Sequence, residues 1–373
     1  MRFEEEFSHG CQPEKLLAAL GKMRFPNRDE QHPLRLMEVC GTHTMAIAKS
    51  GIKQVLPKSV RLLSGPGCPV CVTPAGAMDE ALRIAMLPDV ILASYGDLLR
   101  VPGSVRGADL AHCRARGADV RVVYSAMDAV ELAKANPQKQ IVFLGVGFET
   151  TAPGTAVSIL TARQQNLHNF FVLSLLKRTE PILRALIAQP DFSVDGFLCP
   201  GHVATIVGAD AFAFLPQEYG VPAVVAGFEA GDILSAVYQL CRQAQTGAPK
   251  LENEYTRAVK PEGNLAAMAF VGQVFRPADD VWRGIGEVQA SGYRIRPEFS
   301  DFDAANRFGF TPKNIEGQTG CRCGEILRGV LEPRQCPLFG RVCMPEDPVG
   351  PCMVSSEGAC AAAYKYRSVE TDG

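Results

Sequence analysis

The sequence predicts an α/β protein built on parallel sheets, and three observations carry that expectation. Short β-branched runs alternate with helical patterns from about residue 33 to 230. Hydrophobic residues make up 47% of the chain and charged residues 21%, enough to bury a sizeable core and inconsistent with wholesale disorder. The length of 373 residues suits two or three domains.

The candidate strands are Leu34–Val39, Val60–Ser64, Val90–Ser94, Val120–Tyr124, Ile141–Val146, Phe170–Ser174, Gly196–Cys199 and Ala223–Ala226. Helix-like stretches lie between them, at Gly76–Met86, Ala126–Ala135, Gly154–Gln164 and Pro181–Ala188. Strands alternating with helices of this length indicate βαβ units and hence a parallel sheet. The eight strands read best as two α/β domains, 33–135 and 136–230, with the boundary near residue 135. Beyond them, 230–275 has a helical pattern and 276–320 a mixed one, with short strands around Tyr293–Ile295. Residues 321–360 hold six Cys, five Pro and five Gly. That composition predicts irregular coil held by something other than its own core.

Charge and hydropathy exclude several classes of function. Lys+Arg 38 against Asp+Glu 40 leaves a net charge of −2, with no basic stripe for a nucleic acid. No apolar run approaches the ~18–20 residues of a spanning helix, so no membrane segment is expected. The opening MRFEEEFSHG is acidic where a signal peptide is basic and then apolar, so a cytoplasmic location is expected.

Thirteen cysteines in such a chain point to ligands or redox groups rather than disulfides. Six of them, Cys321, Cys323, Cys336, Cys343, Cys352 and Cys360, fall in the Pro- and Gly-rich tail, while Cys11, Cys113, Cys199 and Cys241 are scattered and read as small buried hydrophobes. In the tail the only close pair is Cys321-x-Cys323, unlike the two C-x₂₋₄-C pairs of a usual zinc site. Long, unequal gaps suit an iron–sulfur cube approached from several sides. Zinc and a set of buried free thiols are the alternatives, and the spacing does not select four ligands out of six.

The other thiols sit at strand ends. MEVCGTHT places Cys40 just after a strand, with His43 three residues on, which taken alone reads as a satisfied polar contact. GPGCPVCVTP places Cys68 and Cys71 after the next strand, with Thr73 and Pro74 suited to open the following helix. Cys71 is then expected beside a helix N-terminus, which favours a thiolate. A C-x-x-C beside βαβ structure is a redox signature, and half a zinc site looks the same. YGDLLRVPG, GVGFETT and CPGHV follow three further strands. In open α/β sheets ligands bind beyond the carboxyl ends of the strands, so Cys40, Cys68, Cys71, Asp97, Arg100, Glu149, Thr150 and His202 are all expected near a ligand. Gly145 and Gly147 imitate a dinucleotide fingerprint, but Thr150 takes the third glycine position. No acid stands between Thr151 and Thr179 to hold a ribose, so NAD binding is rejected. Glu149 is expected to cap the following helix or to orient a thiol or imidazole.

Taken together and in order, EVCGTHT, GPGCPVCVTP, GDLLRVPG, GFETT, PGHV, VAGFE and the tail CGEILRGVLEPRQCPLFGRVC…GPCMVSSEGACAAAY resemble the HypD family of [NiFe]-hydrogenase assembly proteins over nearly the whole chain. The resemblance implies two Rossmann-like parallel-sheet domains and a smaller mixed domain, residues 1–32 and 231–373, carrying one [4Fe–4S] cluster. The family's cluster pattern falls on Cys323, Cys336, Cys343 and Cys360, leaving Cys321 and Cys352 extra. Its essential thiol matches Cys40, its redox pair Cys68 and Cys71, and its GFETT motif Glu149 to Thr151. The implied function is assembly of the Fe(CN)₂CO group, bound transiently, with the small chaperone HypC as partner and cyanide delivered by HypE. His43 is then expected to hydrogen-bond cyanide or take up a proton near neutral pH.

Two competing readings remain at this level. One is a soluble thiol–disulfide oxidoreductase resembling ferredoxin–thioredoxin reductase. The other is a zinc-stabilised binding module.

Overall fold

A computed structural model describes residues 13–310 and 320–366. Eleven strands are named here in chain order: β1 (Leu34–Glu38), β2 (Val60–Ser64), β3 (Val90–Ser94), β4 (Asp119–Val122), β5 (Gln140–Gly147), β6 (Phe170–Leu176), β7 (Gly196–Pro200), β8 (Ala223–Ala226), β9 (Leu251–Asn253), β10 (Phe275–Trp282) and β11 (Gly286–Ile295). They form one five-stranded sheet in the order β2-β1-β7-β8-β9, one four-stranded sheet in the order β4-β3-β5-β6, and the hairpin β10-β11. Every pairing in the two larger sheets is parallel. The α/β class and all eight expected strands are present.

The strands do not divide at residue 135. The four-stranded sheet takes β3 to β6 from both sides of that position, and the five-stranded sheet joins β1 and β2 to β7, β8 and β9. Residues 34–64 therefore pair with residues 196–253, across an inserted unit. The reason lies in the pleat. Successive residues of a strand face opposite sides, and in both sheets alternate residues enter different cores. Met37, Leu63, Phe197 and Val225 face one cluster, and Leu92, Val142 and Phe171 of the other sheet enter that same cluster. Leu36, Leu62, Leu198 and Val224 face a second, and Ile91, Phe143 and Val172 a third. Covered parallel strands are apolar on both faces, so any of them can pair with any other as far as local sequence shows.

The segments expected to make a separate third domain are distributed instead. The helix Pro13–Lys22 buries Leu16 and Leu20 with Leu34 and Leu36 beneath the five-stranded sheet. Residues 230–275 supply the expected helices, Ala230–Thr246 and Leu265–Val274. The hairpin covers Tyr293–Ile295 and is pinned by Lys177, whose fully buried ammonium meets Asp280 at 2.7 Å and the Val281 carbonyl at 2.7 Å.

The cysteine segment is less irregular than its composition predicts, with short helices at Cys323–Leu327, Pro351–Val354 and Ala359–Lys365. Pro351 stands at the first helical position, where its missing N–H has no intrahelical acceptor to lose. Ile326, Leu327, Val349, Met353 and Ala359 bury in the cluster shared by the two sheets. The segment is thus held by the main core, as expected of coil without one of its own.

Candidate functional site

Both parallel sheets reverse their strand order at an internal pair, β1/β7 in one and β3/β5 in the other. Such switch points open a crevice at the carboxyl ends of the strands. A cavity of about 350 Å³ lies at these ends and takes walls from both sheets. Val39 and Cys40 after β1, and Pro200 and His202 at the end of β7, form one side. Phe148 and Thr150 after β5, with Thr179 after β6, form the other, and Glu357 of the cysteine segment closes it.

Cys40 is the extended residue, φ −148° and ψ 125°, that precedes the helix Gly41–Ser50. It is 8% exposed. Burial pushes its thiol up to about 12, and the carboxylates of Glu357 and Glu38 add to the effect, against the amides of His43 and Thr42. The free site therefore holds a protonated thiol at neutral pH. Gly41 N–H donates to the Gly67 carbonyl at 3.1 Å. A Cβ on Gly67 would stand 2.1 Å from the Cys40 nitrogen, and one on Gly41 would stand 2.5 Å from the Glu357 Cβ. Both glycines are required by close approach.

Cys68 and Cys71 lie behind this turn, their sulfurs 2.6 Å apart and both buried as thiols. The helix N-terminus expected beside Cys71 lies at its partner instead. Cys68 caps the short helix Pro69–Val72, its sulfur accepting from the Cys71 amide at 3.3 Å. Cys71 sits inside that helix, where burial and its contacts with Cys352 and Cys68 push its thiol well up. Thr73 does not open the next helix; its hydroxyl donates to the Pro69 carbonyl at 2.8 Å, and Pro74 precedes Ala75–Ala85.

The dithiol is continuous with the tail. The Cys352 thiol is held down by hydrogen bonds from Cys323 and then from Cys71, so it bridges the two motifs. Cys360 is pushed up by burial and by the charges of Cys321, Cys343, Cys323 and Cys336. Cys323, Cys343 and Cys360 are buried and Cys336 is half-buried.

The chain matches the family model described as "HypD: Hydrogenase formation hypA family" over residues 15–367. The chain belongs to the HypD family. It is 44% identical over 377 residues to the hydrogenase maturation factor HypD of Escherichia coli, covering all of both chains. It is 45% identical to the HypD of Azotobacter vinelandii, across 98% of this chain and 97% of that one. A factor named HypD2 from Bradyrhizobium diazoefficiens is 44% identical over the same shares.

Among the expected site residues of this HypD chain, Cys40, Thr150 and His202 line the cavity. His43 does not. It is fully buried, its Nε2–H donates to the Gly227 carbonyl at 2.8 Å, and burial pushes it down to about 4, so the near-neutral titration expected of it does not occur. Glu149 also stays behind the wall. It accepts from the Thr179 amide at 2.6 Å and hydroxyl at 2.7 Å, capping the helix Thr179–Ile187 rather than the one that follows it directly. Arg100 is turned to the tail, donating to the Glu346 carbonyl at 2.8 Å, and Asp97 is exposed within electrostatic reach of Glu357. Cys113, Cys199 and Cys241 are buried as expected, and Cys11 lies outside the described residues.

Sequence reasoning missed Glu357 and Phe228. Phe228, from VAGFE, lies between the two histidines, 3.8 Å from the His202 ring and 4.7 Å from the His43 ring. Glu357 carries only the weak signal of a lone acid among small residues.

Proposed function

We propose that this chain is the scaffold on which the Fe(CN)₂CO group of [NiFe] hydrogenases is assembled, with Cys40 as the thiolate that holds the iron. The observation that carries the reading is the placement of one buried thiol in a small cavity walled by the carboxyl ends of both sheets, with a dithiol directly behind it. A low-spin, electron-rich iron prefers a soft thiolate ligand. Thr150, Thr179 and His202 offer hydrogen-bonding groups in the lining, and Phe148, Ile182 and Leu183 make part of it apolar. The Cys40 proton must leave as the S–Fe bond forms, because a protonated thiol is a poor ligand.

The resident cofactor in this reading is a [4Fe–4S] cluster on Cys323, Cys336, Cys343 and Cys360. A cube takes one thiolate per iron, so its ligands stand around it, whereas a single zinc needs them at one point. Among the described residues no three His, Cys, Asp or Glu side chains converge on one point. When bound, the cluster supplies single electrons. Cys68 and Cys71 exchange two electrons and two protons between their dithiol and disulfide forms, and Cys352 lies between them and Cys323. The partners in this reading are a small HypC-type chaperone and a HypE-type protein, which delivers cyanide.

A second reading, a thiol–disulfide oxidoreductase, is favoured by the contact of Cys68 and Cys71. Infrared spectroscopy of anaerobically purified protein with its co-purifying partner separates the two. CN and CO bands that vanish in Cys40→Ser, while normal maturation persists in Cys113→Ser, support the scaffold. Bands retained in Cys40→Ser remove Cys40 from the site, and disulfide reductase activity without such bands supports the second reading.

A further inference from the structure

Among the described residues Glu357 is the one acidic side chain in the cavity wall, and it comes from the tail rather than from either sheet. Three observations converge on it. Its Oε1 accepts from the Thr42 hydroxyl at 2.8 Å. Its backbone and Cβ lie so close to Gly41 that no larger residue fits there. Its charge reaches Cys40, His202 and Asp97, three groups on three different strand ends. Glu357 also stands between two cysteines of the tail. The residue after it, Gly358, packs against the Cys352 carbonyl and begins the helix that carries Cys360.

We propose that Glu357 is a positioning residue, a latch through which the cysteine tail holds the Cys40 turn closed. The proposal rests on the reading of Cys40 as the working thiol. Cys40 is followed by Gly41, which has no side chain, and Thr42 is the first residue whose side chain reaches the tail. One hydrogen bond and one backbone contact tie Glu357 to the turn that bears Cys40, where the helix Gly41–Ser50 packs along the helix Ala359–Lys365 that carries Cys360. A change in the tail reaches the thiol through this connection, without altering either sheet.

Alkylation of Cys40 by iodoacetamide, followed residue by residue by mass spectrometry on the full-length chain, tests the latch. Reaction of a buried thiol requires local opening, so the rate reports the opening equilibrium. Loss of one hydrogen bond should raise the Cys40 rate about fivefold in Glu357→Ala. Thr42→Val should raise it by a similar factor, and the double variant should add little to either, because both remove the same interaction. Glu357→Gln should react more slowly than Glu357→Ala, since its amide oxygen still accepts from Thr42 while both variants lose the carboxylate charge that pushes the Cys40 thiol up. Cys113, as buried as Cys40 but remote from the latch, is the internal reference for general loosening.

An unchanged Cys40 rate in Glu357→Ala and Thr42→Val overturns the proposal. So does a parallel rise at Cys113, and so does a Glu357→Gln rate equal to that of Glu357→Ala. None of these readings involves iron, so the latch fails independently of the scaffold function, which is judged by the infrared bands of Cys40→Ser.

Discussion

Gly67→Ala asks whether the site depends on the approach of two strand-end turns. A Cβ at position 67 would lie 2.1 Å from the Cys40 nitrogen, 2.4 Å from its Cα and 2.4 Å from the Val39 carbonyl carbon. These are backbone atoms, so no side chain can swing away. Ordinary contact begins at 3.4 Å, so the turns must part by more than an ångström. Overpacking of this kind costs about 1–3 kcal/mol, and a misplacement of ~1 Å at reacting groups costs roughly a hundredfold in rate. Gly67→Ala should therefore lower the unfolding free energy by about 2 kcal/mol and nearly abolish hydrogenase maturation in a strain lacking its own HypD. Gly154→Ala is the opposite control. Nothing stands within 4 Å of its Cβ, in the helix Ala152–Gln164, so it should gain about 0.5–1 kcal/mol and mature hydrogenase normally. Denaturant titration and hydrogenase activity are the measurements. Parental stability and maturation in Gly67→Ala would refute the close-approach reasoning, since the added methyl would then have found space.

Further outcomes follow from the buried groups. His43, pushed down to about 4 in the fold from ~6.5 in the unfolded chain, is neutral when folded, so it contributes stability above pH ~6.5 that is lost as pH falls through 4. Its share, about 3 kcal/mol at most, should be missing from the pH dependence of His43→Asn, measured by urea unfolding at successive pH values. Ser at Cys323, Cys336, Cys343 or Cys360 should each bleach most of the visible absorbance of anaerobically purified protein, while Cys321→Ser and Cys352→Ser should retain it; the reverse pattern reassigns the ligands. Mass spectrometry after mild oxidation should find Cys68 linked to Cys71, whose helical turn already brings the sulfurs together, and persistent alkylation of both would count against a redox pair. Glu149→Ala should cost about 1–2 kcal/mol, seen in thermal melts, because it strips the cap from Thr179.

The sequence by itself determined the elements and the chemistry they carry. β-Branched runs and helical patterns located β1 to β8, three of them (β2, β3 and β8) to the residue, because strand and helix periodicity is local. The rule that ligands gather at the carboxyl ends of parallel strands brought Cys40, Thr150 and His202 to one cavity. What only the tertiary structure decided was the partnership of the strands. β1 pairs with β7 across 160 residues of chain, and strands apolar on both faces carry no mark of which sheet they join. The same nonlocality governs the remaining site residues. His43 and Glu149 stand in motifs at ligand-binding strand ends, but the packing of Gly227 and Thr179 against them makes one a buried neutral ring and the other the cap of a more distant helix. Glu357 lies 317 positions from Cys40, and nothing in SSEGAC states that a glycine at position 41 leaves room for it. Contacts of that span are set by how the tail fills the core between the sheets, and burial of that kind follows from the whole fold rather than from any one stretch of it.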